Sequence, residues 1–239
     1  MTAYLTLLAA LLPGLLLMRY FIKKDRFPEP THLLVKTALL GLLITVPVVV
    51  LEVFLMGAIS GLQGTWLIPV LTAFLVAGFS EELFKLLVLH RYCARKPDFD
   101  EPMDAVVYGV VASLGFACIE NVLYVMQGGV AVAAIRAVTA VPAHASLGAL
   151  MGYYYARQHF DLAGGKRLAR ARFWSKALWV PVLAHGLYDL FPMMFSHKAL
   201  SGGISVAWAL GLGIPFLLVL FWLVRRARAI ALEFRAEQL

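Results

Sequence analysis

Charge is scarce in this chain. Of its 239 residues only 15% are Asp, Glu, Lys or Arg, and 62% are hydrophobic. A soluble domain carries about 25% charged and about 45–50% apolar residues, so composition excludes a water-solvated globular fold. Mean hydropathy is +0.82. Cysteine is nearly absent too. Cys93 follows an apolar run, Cys118 lies inside another, and no Cys-x-x-Cys pair occurs. No structural disulfide is expected, and both thiols are read as inert. The His-Glu-x-x-His helix of soluble zinc proteases is missing. So are internal repeats and low-complexity linkers, which leaves a single domain over residues 1–239. Net charge is +7 and the pI about 9.5. In a soluble protein that balance would point to nucleic acid, but no basic face interleaved with exposed aromatics is present. No nucleic-acid partner is expected.

The apolar residues come in long blocks. A helix crossing a bilayer needs about 20 such residues, and blocks of this kind lie near 2–18, 33–59, 66–90, 103–127, 131–156, 173–196 and 203–224. The fold class expected is therefore an all-α integral membrane protein, a polytopic bundle of about seven transmembrane helices solvated by the lipid bilayer. The first block lacks a basic leader and an A-x-A cleavage site, so it reads as a retained helix rather than a signal peptide.

Loop charge alternates. Arg19, Lys23, Lys24 and Arg26 follow the first block, and Arg91, Arg95 and Lys96 the third. Arg157, Lys166, Arg167, Arg170 and Arg172 follow the fifth, and Arg225, Arg226, Arg228 and Arg235 the last. The loops at 61–64 and near Gly128-Gly129 carry no basic residue, and the sixth has only Lys198. Basic loops stay cytoplasmic, so the expected topology has its N-terminus outside and its C-terminus in the cytoplasm. Gly57/Gly61 and Gly148/Gly152 carry the four-residue spacing that suits close helix packing. Pro47, Pro142, Pro181 and Pro215 fall inside spans, where each removes a backbone hydrogen bond and can kink its helix.

The chain is most informative where it breaks its own rule. An ionisable residue at a helix centre costs about 2.5–3.5 kcal/mol on insertion scales and tends to mark function. The third span holds Glu81, Glu82 and Lys85, the fourth Glu120 and Asn121, the fifth Arg136 and His144, and the sixth His185 and Asp189. Each has a plain structural reading. Lys85 lies four residues after Glu81 and three after Glu82, so the three can simply neutralise one another. Glu120 and His144 can bond to neighbouring helices. Arg136 can snorkel to the outer interface. His185 and Asp189, stacked on one helical face, can form a helix-stabilising hydrogen bond. Adjacent residues on a helix diverge by about 100°, so one glutamate is expected to face a site and the other a neighbour.

Depth argues for more than that. Counted from the block ends, Glu82, His144 and His185 fall near the bilayer middle, and two imidazoles with carboxylates from separate helices make a Zn²⁺ site plausible. Glu52 is a weaker candidate for the same site and reads more as an outer-end residue. On chemistry alone two readings stay open: an intramembrane hydrolytic or metal site, and a proton- or cation-coupled transporter relaying charge through the same Glu, His and Asp side chains. A catalytically silent membrane scaffold is a third. Against transport, no inverted repeat is seen.

Taken together, Glu81-Glu82-x-x-Lys85, Phe116-x-x-x-Glu120-Asn121 and His185-x-x-x-Asp189 resemble the signature of the PrsW family of intramembrane proteases. Asp25-Arg26-Phe27-Pro28-Glu29-Pro30, Glu101-Pro102-Met103-Asp104 leading into Val107-Tyr108-Gly109, and Pro142-Ala143-His144 agree with it. The likeness spans about residues 19 to 190. A wider group, including CAAX prenyl proteases and bacteriocin-processing proteins, is similar, but it has His where Glu120 stands and Asn where Asp189 stands. An ionised Asp cannot donate to an oxyanion as Asn can, so Asp189 is better suited to binding a metal or orienting His185.

The resemblance implies an endopeptidase of a bacterial-type cell membrane that cleaves a transmembrane protein, in this family a single-pass anti-sigma factor of a stress response. The mechanism expected uses Zn²⁺ held by His144 and His185 with Glu120 or Asp189. Glu82 or Glu81 serves as general base, and Lys85 and Asn121 support the site. In a metal-free variant one glutamate activates water directly and His185 stabilises the oxyanion.

Overall fold

The computed structural model describes residues 2–160, 176–200 and 205–238. Lys166, Arg167, Arg170 and Arg172 of the fifth loop, and the first residues of the blocks at 173–196 and 203–224, lie outside them. Among the described residues there is no strand, and 89% of the structure is helical. This follows from the solvent: in hydrocarbon every backbone N–H and C=O must be paired internally, which helices do within one segment.

In chain order the helices are α1 (Thr2–Ile22), α2 (Thr31–Leu43), α3 (Thr45–Ile59), α4 (Leu67–Leu71), a π-helical segment (Thr72–Phe79), α5 (Ser80–Arg91), α6 (Pro102–Val138), α7 (Ala140–His159), α8 (Lys176–Leu200) and α9 (Val206–Glu237). Among the described residues five stretches are long and apolar enough to cross a membrane: Thr31–Leu62, Leu67–Arg95, Pro102–His159, Lys176–Lys198 and Val206–Glu237, with a shorter apolar run at Leu7–Ile22.

The stretch Pro102–His159 has 58 residues, which as a straight helix would run about 87 Å at 1.5 Å per residue, far beyond a hydrocarbon core of about 30 Å. It reverses at Gly129, whose φ of 67° is left-handed and open to glycine without strain. Across that reversal Arg136 meets Asn121, Gly148 meets Gly109 and Gly152 meets Ala105. The uncharged loop expected near Gly128-Gly129 is thus the tip of an antiparallel hairpin. α2 and α6 each end four residues before a proline, Pro47 and Pro142, whose ring excludes the carbonyl of residue i−4. These two prolines therefore sit in the first turn of α3 and α7, while Pro181 and Pro215 remain inside α8 and α9.

α6 is the central element. Every residue from Met103 to Ala117 is buried. Glycine makes the packing possible. A Cβ on Gly152 would lie 2.6 Å from Val106 Cα and collide with the Ala105 backbone, and Gly41 and Gly115 hold α2 and α6 together in the same way. The Gly148/Gly152 expectation is met. A methyl group added to Gly57 or Gly61 would meet nothing within 4 Å, so that pair packs against no neighbour. Gly152→Ala is expected to cost about 1–3 kcal/mol through overpacking, read as a lowered thermal midpoint in detergent, whereas Gly57→Ala should leave the midpoint unchanged.

The outer helices face the other way. Val46, Phe54, Val53, Leu218 and Phe221 are 60–71% exposed. Such a surface is intolerable in water and natural against lipid tails. α9 continues well past its last apolar run, and Ala227, Ile230, Ala231 and Phe234 are buried, so the expected tail is a packed helix. Arg157 of α7 binds Glu233 at 2.7 Å and Glu237 at 2.6 Å on it.

Candidate active site

The glutamates sit where the third span changes its winding. The π-helical segment Thr72–Phe79 ends immediately before Ser80-Glu81-Glu82, and π-turns inside helices recur at functional sites. Ser80 Oγ donates back to the Val76 carbonyl. Gly78 lets α8 approach, since a Cβ there would stand 3.1 Å from the Val182 carbonyl oxygen, and a Cβ on Gly186 would enter the Phe74 ring. Both glycines are close to polar residues of the cluster, Gly78 one turn before Glu82 and Gly186 beside His185.

Lys85 is the hub. Its ammonium is 0% exposed and donates to Glu81 Oε2 at 2.9 Å, Glu82 Oε1 at 2.8 Å and His144 Nδ1 at 3.1 Å. It also lies 4.6 Å from the centre of the Phe116 ring, close enough for a cation–π contact. The expectation that only one glutamate would face the site is corrected. Lys85 is reachable from both positions, i+4 and i+3, and draws both carboxylates to one side.

His144 accepts from Lys85 at Nδ1, so in the neutral ring the proton is on Nε2, which donates to Glu120 Oε2 at 2.7 Å. His185 has Glu82 Oε1 at 2.9 Å from Nδ1 and Asp189 Oδ2 at 3.2 Å from Nε2. The imidazoles stand edge to face, 5.5 Å between centres. Glu81 Oε2 is 3.9 Å from a nitrogen of each. Four helices, α5 to α8, thus bring Glu81, Glu82, Lys85, Glu120, His144, His185 and Asp189 into one cluster. It is sealed at Glu82, which is 0% exposed, and opens at Glu120 and Asp189, whose side chains are 19% and 18% exposed.

Arg136 corrects its sequence reading. It does not snorkel outward: Nη2 lies 2.9 Å from Glu120 Oε2 and Nε donates to Asn121 Oδ1 at 2.6 Å. Two acceptors brought alongside by the Gly129 reversal outcompete the interface. Asn121 in turn donates to the Ala10 carbonyl at 3.1 Å, tying α1 to the site's wall. Glu52 is more than an outer-end residue, since it lies close enough to interact electrostatically with Glu81, Glu120, Lys85 and His185.

Ligand atoms cluster in two trios, Glu81–Glu82–His185 and Glu81–Glu120–His144, each within 4.8 Å. The set expected from sequence, both histidines with Glu120 or Asp189, is not one of these trios among the described residues. The donor set nonetheless suits a divalent transition ion, since imidazole nitrogen with carboxylate oxygen is zinc chemistry. Charge agrees. Four carboxylates (Glu81, Glu82, Glu120, Asp189) face two cations, Lys85 and Arg136, leaving two negative charges that a dication or two imidazolium protons would balance. Glu82 Oε2 is buried and has no partner, an open valence beside His185.

Comparison with known proteins shows the family. A family model described as PrsW family intramembrane metalloprotease matches residues 29–224. Protease PrsW of Halalkalibacterium halodurans is 34% identical over 217 residues, 90% of this chain and 92% of that protein. Protease PrsW of Bacillus subtilis is 34% identical over 222 residues, 92% of this chain and 93% of that protein. Protease PrsW of Clostridioides difficile is 32% identical over 221 residues, 90% and 86% of the two chains. No solved structure matches, and nothing in these comparisons supports the transport reading of the same residues. The chain is a multi-pass helical membrane protein and belongs to the PrsW family of intramembrane proteases.

Proposed function

We propose that the chain hydrolyses a peptide bond of a single-pass membrane protein, an anti-sigma factor of a stress response, within a bacterial cell membrane that it crosses seven times with its N-terminus outside. The observation that carries the reading is the convergence of Glu81, Glu82, His144 and His185 from three helices in one buried cluster whose edge is exposed at Glu120 and Asp189.

Glu81 is the general base. It lies between the Glu82–His185 and Glu120–His144 pairs and makes one hydrogen bond, to Lys85. Water entering at the Glu120–Asp189 side gives its proton to Glu81 as its oxygen attacks the scissile carbonyl carbon, and Glu81 then delivers that proton to the leaving nitrogen. Glu82 fixes His185 and Lys85, and Asp189 holds the far nitrogen of His185. Zn²⁺ would be held by His144 with Glu120, or by His185 with Glu82 or Asp189, and when bound it supplies Lewis-acid polarisation and a more acidic water. Arg136 and Asn121 set the position of Glu120. A substrate helix hides its amides in hydrogen bonds, so it must unwind locally to present one here.

The test is complementation. Expressed in Bacillus subtilis lacking its own Protease PrsW, the chain should restore cleavage of that cell's anti-sigma factor on an immunoblot, and His185→Ala should abolish it while still inserting. Failure of the wild-type chain to cleave a membrane-anchored anti-sigma factor, or cleavage by His185→Ala at the wild-type level, would sink the reading.

A further inference from the structure

A second acidic cluster lies away from the Glu–His site, where the loop after α1, the start of α6 and the end of α9 meet. Asp25, Glu29 and Asp104 are 6%, 7% and 1% exposed, and Glu101 joins them at the N-cap of α6. One oxygen each from Asp25, Glu101 and Asp104 lie within 4.8 Å of one another. Buried carboxylates normally acquire a basic partner. Among the described residues none of these four forms an ion pair. Their partners are neutral: the Phe27 N–H on Asp25 Oδ1 at 3.0 Å, Gln238 Nε2 on Asp25 Oδ1 and Glu101 Oε1 at 2.8 and 2.5 Å, and Tyr108 Oη on Glu29 Oε2 at 2.5 Å. Arg26, the nearest guanidinium in sequence, is turned to the Gln238 carbonyl instead, at 3.3 Å.

Helix capping accounts for part of the cluster. Asp104 Oδ2 accepts from the N–H groups of Asp100 and Glu101 at 2.8 Å each, and negative charge is favoured at a helix N-terminus. Capping does not explain Asp25, which belongs to another segment and whose Oδ2 is buried with no hydrogen-bond partner among the described residues. Nor does it explain Glu29, which lies on the loop before α2, is buried, and stands close enough to interact with Asp104. Asp98 and Asp100 add further negative charge nearby.

We propose that this cluster is a binding site for a hard divalent cation, Mg²⁺ or Ca²⁺, coordinated by Asp25, Glu101 and Asp104 and closed by Glu29. The donors are all oxygen, which selects this class over zinc. The ion would staple the first loop to α6 and, through Gln238, to the end of α9.

The experiment uses the full chain in detergent, stripped with EDTA and then titrated with MgCl₂ or CaCl₂ while thermal unfolding and equilibrium dialysis are followed. The expected result is a saturable rise in midpoint with one ion bound per chain, the stronger of the two salts naming the ion. Binding should weaken at least tenfold in both Asp25→Asn and Glu101→Gln, and persist in Glu81→Gln. Glu101 is less buried, so its variant decides the matter should Asp25→Asn fail to fold. No stabilisation by either salt, or equal binding by wild type and Glu101→Gln, overturns the proposal. So does binding that disappears in Glu81→Gln, which would place the ion at the other cluster.

Discussion

Glu81→Gln is expected to lower the rate of substrate cleavage by about a hundred- to ten-thousand-fold, the usual worth of a positioned general base, while leaving the thermal midpoint close to that of the wild type. The two parts of that expectation have separate causes. The amide oxygen of glutamine still accepts from Lys85, so the hydrogen bond at 2.9 Å survives in form. Lys85 also keeps Glu82, at 2.8 Å, as a charged partner. What is lost is the capacity to take up and return a proton between two imidazoles each 3.9 Å away. Glu82→Gln differs. It weakens a buried acceptor that hydrogen-bonds both Lys85 and His185, so it should lower both activity and midpoint. Single-turnover cleavage of a tethered substrate, read beside thermal unfolding, separates the two glutamates. If Glu81→Gln cleaved within a few-fold of wild type while Glu82→Gln did not, the base would be Glu82 and the order of roles would reverse.

Why the sequence shows the cluster but not its wiring is a matter of contrast and period. Glu81, Glu82, Lys85, Glu120, His144, His185 and Asp189 stand out because each is expensive in an apolar block. Their common depth follows from a rise of about 1.5 Å per residue. The π-helical segment leaves no such trace. Residues 73–79 are apolar on every side, so a change of winding alters no hydrophobic stripe that could be read, and the shared orientation of Glu81 and Glu82 is hidden with it. Arg136 is legible in principle. Folding the chain about Gly128-Gly129 places it opposite Asn121, but distance from the block end alone favours the interface. The glycine pairs teach the same lesson. Gly57/Gly61 and Gly148/Gly152 share a spacing, and only the second has a helix across from it. Spacing records the possibility of close approach, and tertiary contact decides it.

Lys85→Met is expected to be the most destabilising single change in the bundle, by about 3–5 kcal/mol, the cost of removing one partner from a buried ion pair. Methionine has a similar length and no charge, so little is lost in packing. What remains is Glu81 and Glu82 facing each other across a pocket with no ammonium, and a His144 Nδ1 without its donor. The Phe116 ring, now over a thioether instead of a cation 4.6 Å away, loses a smaller contribution. Because the penalty is electrostatic, it should be recoverable by removing charge elsewhere. Lys85→Met combined with Glu82→Gln leaves one carboxylate fewer to balance and should regain part of the lost midpoint. The two changes would then be coupled by about 0.5–3 kcal/mol, as expected for groups in one network. Steric damage predicts the opposite, a double variant at least as unstable as the sum of the singles. Thermal unfolding of the four proteins in one detergent decides between them, and an additive cycle would mean that Lys85 fills space in the bundle without holding its charges together.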